Sequence, residues 1–278
     1  MKCPKRGAAR WIGERRTLAW FVVGVAVFLI GLTKSGFGSG VGLMVVPMTA
    51  IAMSNTPMGE KAALGFMLPL LISDDFIAIA QYRKLFDAQT VRRLIPSTIV
   101  GVILGALLLW WIGKQRADLA SALLRIEIGM EAILLVSLHW WRVWRGEQQN
   151  LLPEPLRSTI TGAFAAISST LAHAAGPVIA MYLLPLKFDR RIFVGTTAVY
   201  FLILNTMKLP AYAWNGQLAA APVTFSLQFL PLVLVGAAAE FWLNRRMTDK
   251  LFLRVVYILT FLLGWYVLID GLIGVARV

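Results

Sequence analysis

Ten side chains that can carry charge interrupt the apolar stretches of this sequence: Lys34, Asp74, Asp75, Arg125, Glu127, Glu131, His173, Lys208, Glu240 and Asp270. An ionisable group inside a membrane span is costly to bury, so each is a candidate for function until a structural partner accounts for it. Partners are expected for several. Arg125, Arg254 and Asp270 lie near the ends of apolar segments, from which long side chains reach the interface. Glu127 and Glu131, four residues apart on one helical face, are expected to pair with Arg125 or with a lysine of another helix. Glu240 stands about one turn before Arg245, which predicts an interfacial ion pair.

Lys34 and Lys208 differ in kind. Lys34 opens the run Lys34-Ser35-Gly36-Phe37-Gly38-Ser39-Gly40, and Lys208 lies mid-segment, one turn after Asn205 and two residues before Pro210. Helices starting near Gly40 and near Pro177 would each aim unpaired backbone N–H groups and the positive end of a dipole inward. Two such termini with two lysines make an anion site, and glycines at 36, 38, 40 and 42 let an anion approach the backbone. The plainer alternative is that the glycines serve close helix packing and that Lys34 pairs with Asp74 or Asp75. Asp74 and Asp75 are also candidates for proton coupling, because a buried carboxylate can hold a proton. Ser168, Ser169 and Thr170 offer hydroxyls to the second break, although such residues commonly bond their own helix backbone.

The elements that must position these groups are membrane helices. The chain has 278 residues, 58% of them hydrophobic and 15% charged, which excludes a water-soluble fold. Its single cysteine, Cys3, and two histidines exclude a disulfide framework and a Cys- or His-rich metal site, and no cofactor is expected. Eight apolar segments run from 17 to 53, 62 to 82, 94 to 112, 119 to 141, 159 to 186, 192 to 212, 222 to 243 and 251 to 273. Most are near the roughly 20 residues a helix needs to cross a bilayer, so an all-α polytopic membrane protein is expected. The first segment is interrupted at 34 to 40 and the fifth at His173-Ala174-Ala175-Gly176-Pro177. Broken backbone at membrane depth is tolerated only inside the protein or along a cavity, so both breaks are expected to be internal.

The basic residues choose between two topologies. If segment five enters and returns to the same side, 19 of the 27 Lys and Arg fall in cytoplasmic tails and loops and 4 outside. If it crosses once, the division is 14 against 9. The re-entrant arrangement is favoured, with Met1 to Arg16 as a basic cytoplasmic tail. The net charge of +13 is then explained by orientation, without a nucleic-acid partner.

The two halves overlay on one another. Gly38 stands nine residues before Pro47 and Gly176 nine before Pro185; Asp75 precedes Tyr82 by seven, as Asn205 precedes Tyr212. Pro96 precedes Gly101 by five, as Pro231 precedes Gly236, and Leu124-Arg125 is matched by Leu253-Arg254. Four matches in one order predict a duplication, with the tail at 1–16, a first repeat at 17–142, a linker at 143–158 and a second, inverted repeat at 159–278.

The run from Gly31 to Pro47 resembles the first glycine-rich signature of the sulfite exporter TauE/SafE family, also called the toluenesulfonate uptake permease family. Ala175-Gly176-Pro177, Leu184-Pro185, Asn205, Lys208, Tyr212 and Gly216 are similar to its second repeat, and the likeness covers nearly the whole chain after Arg16. The resemblance implies an inner-membrane permease for sulfite, sulfoacetate or other organosulfonates, with protons as the coupling ion. By position it implies a site made of Ser35 to Gly40, including Ser39, and Pro47 in one half, together with His173 to Pro177, Asn205 and Lys208 in the other. Ser39 stands where a glycine is usual, and Ala174-Ala175 where a second glycine-rich pair would stand.

Two rival readings come from other classes. Ser35-Gly36 and His173 superficially resemble the serine–histidine dyad of rhomboid intramembrane proteases, but Thr33-Lys34 replaces the Gly-x that precedes the nucleophile. A duplicated chain also gives a protease no obvious benefit, whereas alternating access uses two opposed repeats around one site. A non-catalytic membrane scaffold is distinguished by moving no solute. The expectation is a transporter and not an enzyme.

Overall fold

The computed structural model describes residues 6–33, 41–54, 61–82, 85–146, 153–243 and 249–278, and among them the chain is helical, without strands. The helices are α1 (Arg6–Thr33), α2 (Val41–Ser54), α3 (Lys61–Gln81), α4 (Ala88–Gly113), α5 (Ala117–Arg145), α6 (Leu156–Ala172), α7 (Ala175–Leu183), α8 (Arg190–Trp214), α9 (Ala220–Leu227), α10 (Leu230–Leu243) and α11 (Asp249–Ala276). A short 3-10 turn, Leu184–Leu186, extends α7. Stretches within α3, α4, α8, α9–α10 and α11 are long and apolar enough to cross a bilayer. Helix α5 matches them in length but carries Arg125, Glu127 and Glu131 through its middle.

All eight apolar segments are helical over most of their described residues. The helix that opens the first begins at Arg6, so part of the expected tail continues α1. Segment seven holds a break that the sequence reading misses, between Leu227 and Leu230. Pro231 has no N–H to offer the carbonyl of Leu227, and its ring crowds that carbonyl. The chain turns there through bonds from Gln228 N–H to the Phe225 carbonyl and from Phe229 N–H to the Ser226 carbonyl.

Segment five is a hairpin. At the end of α7 the Tyr182 hydroxyl donates to Glu154, just before α6, at 2.8 Å, and Arg157 lies over the Tyr182 ring at 4.8 Å. Arg142, near the end of α5, reaches the Met181 carbonyl at 3.4 Å. The returning chain therefore ends beside the residues from which it set out, and the basic loop at 187 to 191 shares an end of the molecule with Arg142, Glu154 and Arg157.

Side-chain distribution is that of a protein solvated by lipid. Helix α4 buries Ser97, Thr98, Gly101 and Gly105 while Ile103, Leu104, Leu107 and Trp111 are exposed. A large apolar face turned outward over small and polar residues turned inward suits hydrocarbon and not water. The main helix pairings are α5 with α11, α4 with α6, α1 with α10, α1 with α2 and α3 with α8. Glycines set two of these distances: a Cβ on Gly101 would overlap the Ala163 carbonyl oxygen, and one on Gly236 would overlap that of Phe28.

Candidate functional site

Helix α6 ends because His173 takes a left-handed conformation, φ 51° and ψ 26°, and its N–H bonds to the Ser169 carbonyl at 3.0 Å. That region is unusual for a residue with a Cβ and costs about 1–2 kcal/mol, so other contacts must hold it. They are hydrogen bonds to both ring nitrogens. Nε2 lies 3.0 Å from the Leu64 carbonyl oxygen in α3, and Nδ1 lies 2.8 Å from Lys208 Nζ in α8. A carbonyl only accepts, so Nε2 carries the proton; an ammonium only donates, so Nδ1 is the acceptor. His173 is therefore the neutral Nε2–H tautomer, an assignment made from its partners.

Lys208 is fully buried. Besides His173 it donates to the Ser169 carbonyl at 3.1 Å and to Ser169 Oγ at 2.9 Å. Tyr212, one turn further along α8, packs its ring edge-on to His173 with centroids 5.8 Å apart, and its hydroxyl donates to the Thr170 carbonyl at 2.8 Å. One turn before Lys208, Asn205 Nδ2 donates to Asp75 Oδ2 of α3 at 2.7 Å. Asp74 and Asp75 are both buried. Pro177 is buried and Gly176 half-buried in the first turn of α7, where no side chain caps the helix.

Four of the sequence-based candidates, His173, Gly176, Pro177 and Lys208, thus meet at the α6–α7 break, while Asn205, one turn before Lys208 on α8, bonds Asp75 of α3, which also carries Asp74. Lys34, Ser35, Gly36, Gly38, Ser39 and Gly40 lie outside the described residues, as does the pairing of Glu240 with Arg245. Of the three hydroxyls, Ser169 joins the site, whereas Thr170 donates back to the Ala166 carbonyl of its own helix at 2.7 Å. The signal for Ser169 was its place four residues before His173 on one helical face. The Leu64 carbonyl had no signal, since backbone groups carry none in a sequence. The expected pairing of Arg125 with the glutamates is corrected: its Nη1 lies 2.6 Å from Asp270 in α11. Among the described residues, Oε2 of Glu127 and Oε2 of Glu131 have no hydrogen-bond partner.

An all-helical body with its apolar faces outward, built around a broken helix pair and a buried ammonium, is that of a multi-pass membrane transport protein. The family model described as Sulfite exporter TauE/SafE matches residues 23–267, and the chain belongs to that family. It is thereby a membrane transporter for sulfur-containing anions and not an enzyme. No curated protein and no solved structure matches the chain.

Proposed function

We propose that the chain is a secondary transporter of the inner membrane that moves sulfite, sulfoacetate or another small organosulfonate by alternating access between its broken helices. The observation that carries this reading is Lys208, fully buried and bonded to Ser169 and His173 at the break. A buried ammonium is costly to desolvate, and an anion bound to it offsets that cost. An oxyanion entering here exchanges the Ser169 and His173 acceptors for its own oxygens. The N-terminal N–H groups of α7 are further donors of the kind that anions favour. Lys34 and the glycines from Gly36 to Gly40, with Ser35 and Ser39, are the proposed counterpart from the first half.

Alternating access needs two halves that exchange roles, and the helix pairings support an inverted repeat. Exchanging the halves turns the α4–α6 pair into α10–α1 and leaves α3–α8 and α5–α11 as themselves. Asp75 bonds Asn205, its counterpart in the overlay. Gly65 and Gly195 have the same separation as that pair: a Cβ on Gly65 would overlap the Gln217 carbonyl oxygen just beyond α8, and one on Gly195 that of Leu85 just beyond α3. Each helix start meeting the other's end makes the two helices antiparallel, as an axis in the membrane plane requires. The N-terminus is cytoplasmic in this reading and the proton gradient drives transport, with Asp74 and Asp75 as candidate carriers on the axis.

Purified protein in liposomes, offered labelled sulfite and a labelled sulfonate, should show saturable uptake that Lys208→Met abolishes. No saturable flux of any anion, with or without a pH gradient, sinks the proposal.

A further inference from the structure

We infer that Glu127 and Glu131 form a proton-binding site whose filling and emptying couples anion movement to the proton gradient, an inference that rests on the permease reading. The two residues belong to a stripe on α5. Ala120 and Leu124 pack with Leu64 and Leu68 of α3, Leu171 of α6 and Tyr212 of α8. Steps of four, three and four residues carry the same helical face on to 127 and 131. The carboxyl groups therefore continue an inward-facing row, 10 and 14 residues into a 29-residue helix. Glu131 is 9% exposed, and Oε2 of each glutamate is buried without a hydrogen-bond partner among the described residues.

Four residues apart on one helical face, the two carboxyl groups are neighbours, and among the described residues neither has an ion pair to a cation. Two carboxylates repel, and a hydrogen bond between carboxyl groups exists only when one of them is the acid. The pair thus holds one proton. A purely structural glutamate would be expected to satisfy both oxygens, because an unmet buried acceptor is costly. Among the described residues there is no group of three ligands suited to a metal ion. The cation that fits is the proton.

On α3, Asp75 accepts from Asn205 and Asp74 is buried next to it in the chain, so the glutamates would act as a second proton-binding group besides these candidates. The other titratable groups on the packed elements are engaged or point away. From α11, Asp270 is bound to Arg125, Tyr257 is stacked on His139, and Arg254 and Tyr266 are exposed. From the hairpin, His173 is held by Lys208 and Tyr182 by Glu154. Arg92 and Arg93 of α4 are exposed, and the described part of α2 has no charged side chain. Tyr212 of α8 is left: it packs in one cluster with Ala120 and Leu124 of the stripe, and its ring lies edge-on to His173. The row that carries the glutamates thereby reaches the side chain that packs on the His173–Lys208 contact. A second proton taken up from one side makes both groups acids, its release to the other side restores the shared-proton pair, and no other bond changes.

Two measurements test this on the full-length protein. Infrared difference spectra during a pH titration should show a buried carboxylic C=O band that is lost in both Glu127→Gln and Glu131→Gln. A wild type without such a band, or a band unchanged in both variants, overturns the proposal. In liposomes, Glu131→Gln should keep measurable exchange of labelled sulfite yet lose accumulation against a gradient completely when a pH difference is imposed. Accumulation at the wild-type level in both glutamine variants overturns it as well. Wild-type vesicles that exchange neither sulfite nor a sulfonate sink the permease reading and the coupling role with it, an outcome distinct from loss of accumulation alone.

Discussion

Asn205 donates to Asp75 at 2.7 Å, joining α8 to α3. In the proposed inverted repeat the two residues are counterparts, and a bond between counterparts would lie on the axis that relates the halves. Its chemistry is asymmetric, an amide facing a carboxyl group, so such an axis would relate the backbones and not the charges.

That asymmetry makes the pair testable by exchange. Asn205→Ala leaves a buried carboxyl group with one donor fewer, at a cost of about 1–3 kcal/mol. Asp75→Asn sets two amides face to face at a smaller cost. The double exchange Asp75→Asn with Asn205→Asp rebuilds the same bond with its direction reversed. Thermal unfolding in detergent should place the double variant above the sum of the two single changes. Strictly additive losses would mean that the two residues do not depend on one another.

Lys208 should be needed for binding more than for folding. Lys208→Met keeps the length of the side chain, and deletes the charge. A hydrogen bond to a charged group is worth about 1.5–3 kcal/mol, which corresponds to a loss of roughly ten- to a hundredfold in anion affinity. Lys208→Arg should not rescue it, because the site has no room for the wider guanidinium around a fully buried side chain. Titration of sulfite by calorimetry checks both. Wild-type affinity in Lys208→Met would move the site elsewhere.

The parts of this arrangement that depend on hydropathy were legible in the sequence, because lipid leaves an apolar run of bilayer length few options but a helix. The Ala174–Pro177 break was legible too, since proline and glycine announce it. Proline alone was a poor guide: Pro96, Pro69 and Pro210 lie inside continuous helices, whereas Pro231 ends one. What decides is how neighbouring backbone groups are satisfied, and that is set by packing. The site was half legible. Lys208, His173 and Asn205 stood out as polar residues in apolar surroundings, but the Arg125–Asp270 pair spans 145 positions and no local spacing reports it. Assigning Arg125 to the nearest acids on its own helix was the natural error, and it hid the glutamate pair.

The glycine contacts predict which substitutions the body tolerates. A side chain at Gly101 has to displace the Ala163 backbone, and one at Gly162 the Ser97 hydroxyl and the Leu94 carbonyl. Gly101→Val should therefore separate α4 from α6 and destabilise by about 1–3 kcal/mol or more. Gly113 is the control, with nothing within 4 Å of its Cβ position. Gly113→Ala should leave the unfolding temperature unchanged within error. Equal effects at the two sites would mean that α4 and α6 do not approach as closely as the structure places them.

A pH dependence follows from Asp87, which stands before α4 and outside the spans. Its Oδ1 accepts the Thr90 N–H at 2.7 Å, capping the helix, while its own N–H donates to Thr196 Oγ1 of α8 at 2.9 Å. Hydrogen bonds from the Thr90 side chain and backbone, aided by Arg93, hold the Asp87 carboxyl below its ordinary range against a small desolvation cost. A folded-state pKa lower than the unfolded value of about 3.9 stabilises fully above that value and is lost as pH falls through the folded one. Asp87→Ala should cost about 1 kcal/mol at neutral pH. Asp87→Asn keeps a neutral cap, so its unfolding temperature should start below that of the wild type at pH 7 and converge on it from about pH 4 downward. Other carboxyl groups titrate in the same window, and the difference between the two curves removes their contribution. Curves that stay parallel through that window would mean that the carboxylate form of Asp87 contributes nothing to the cap.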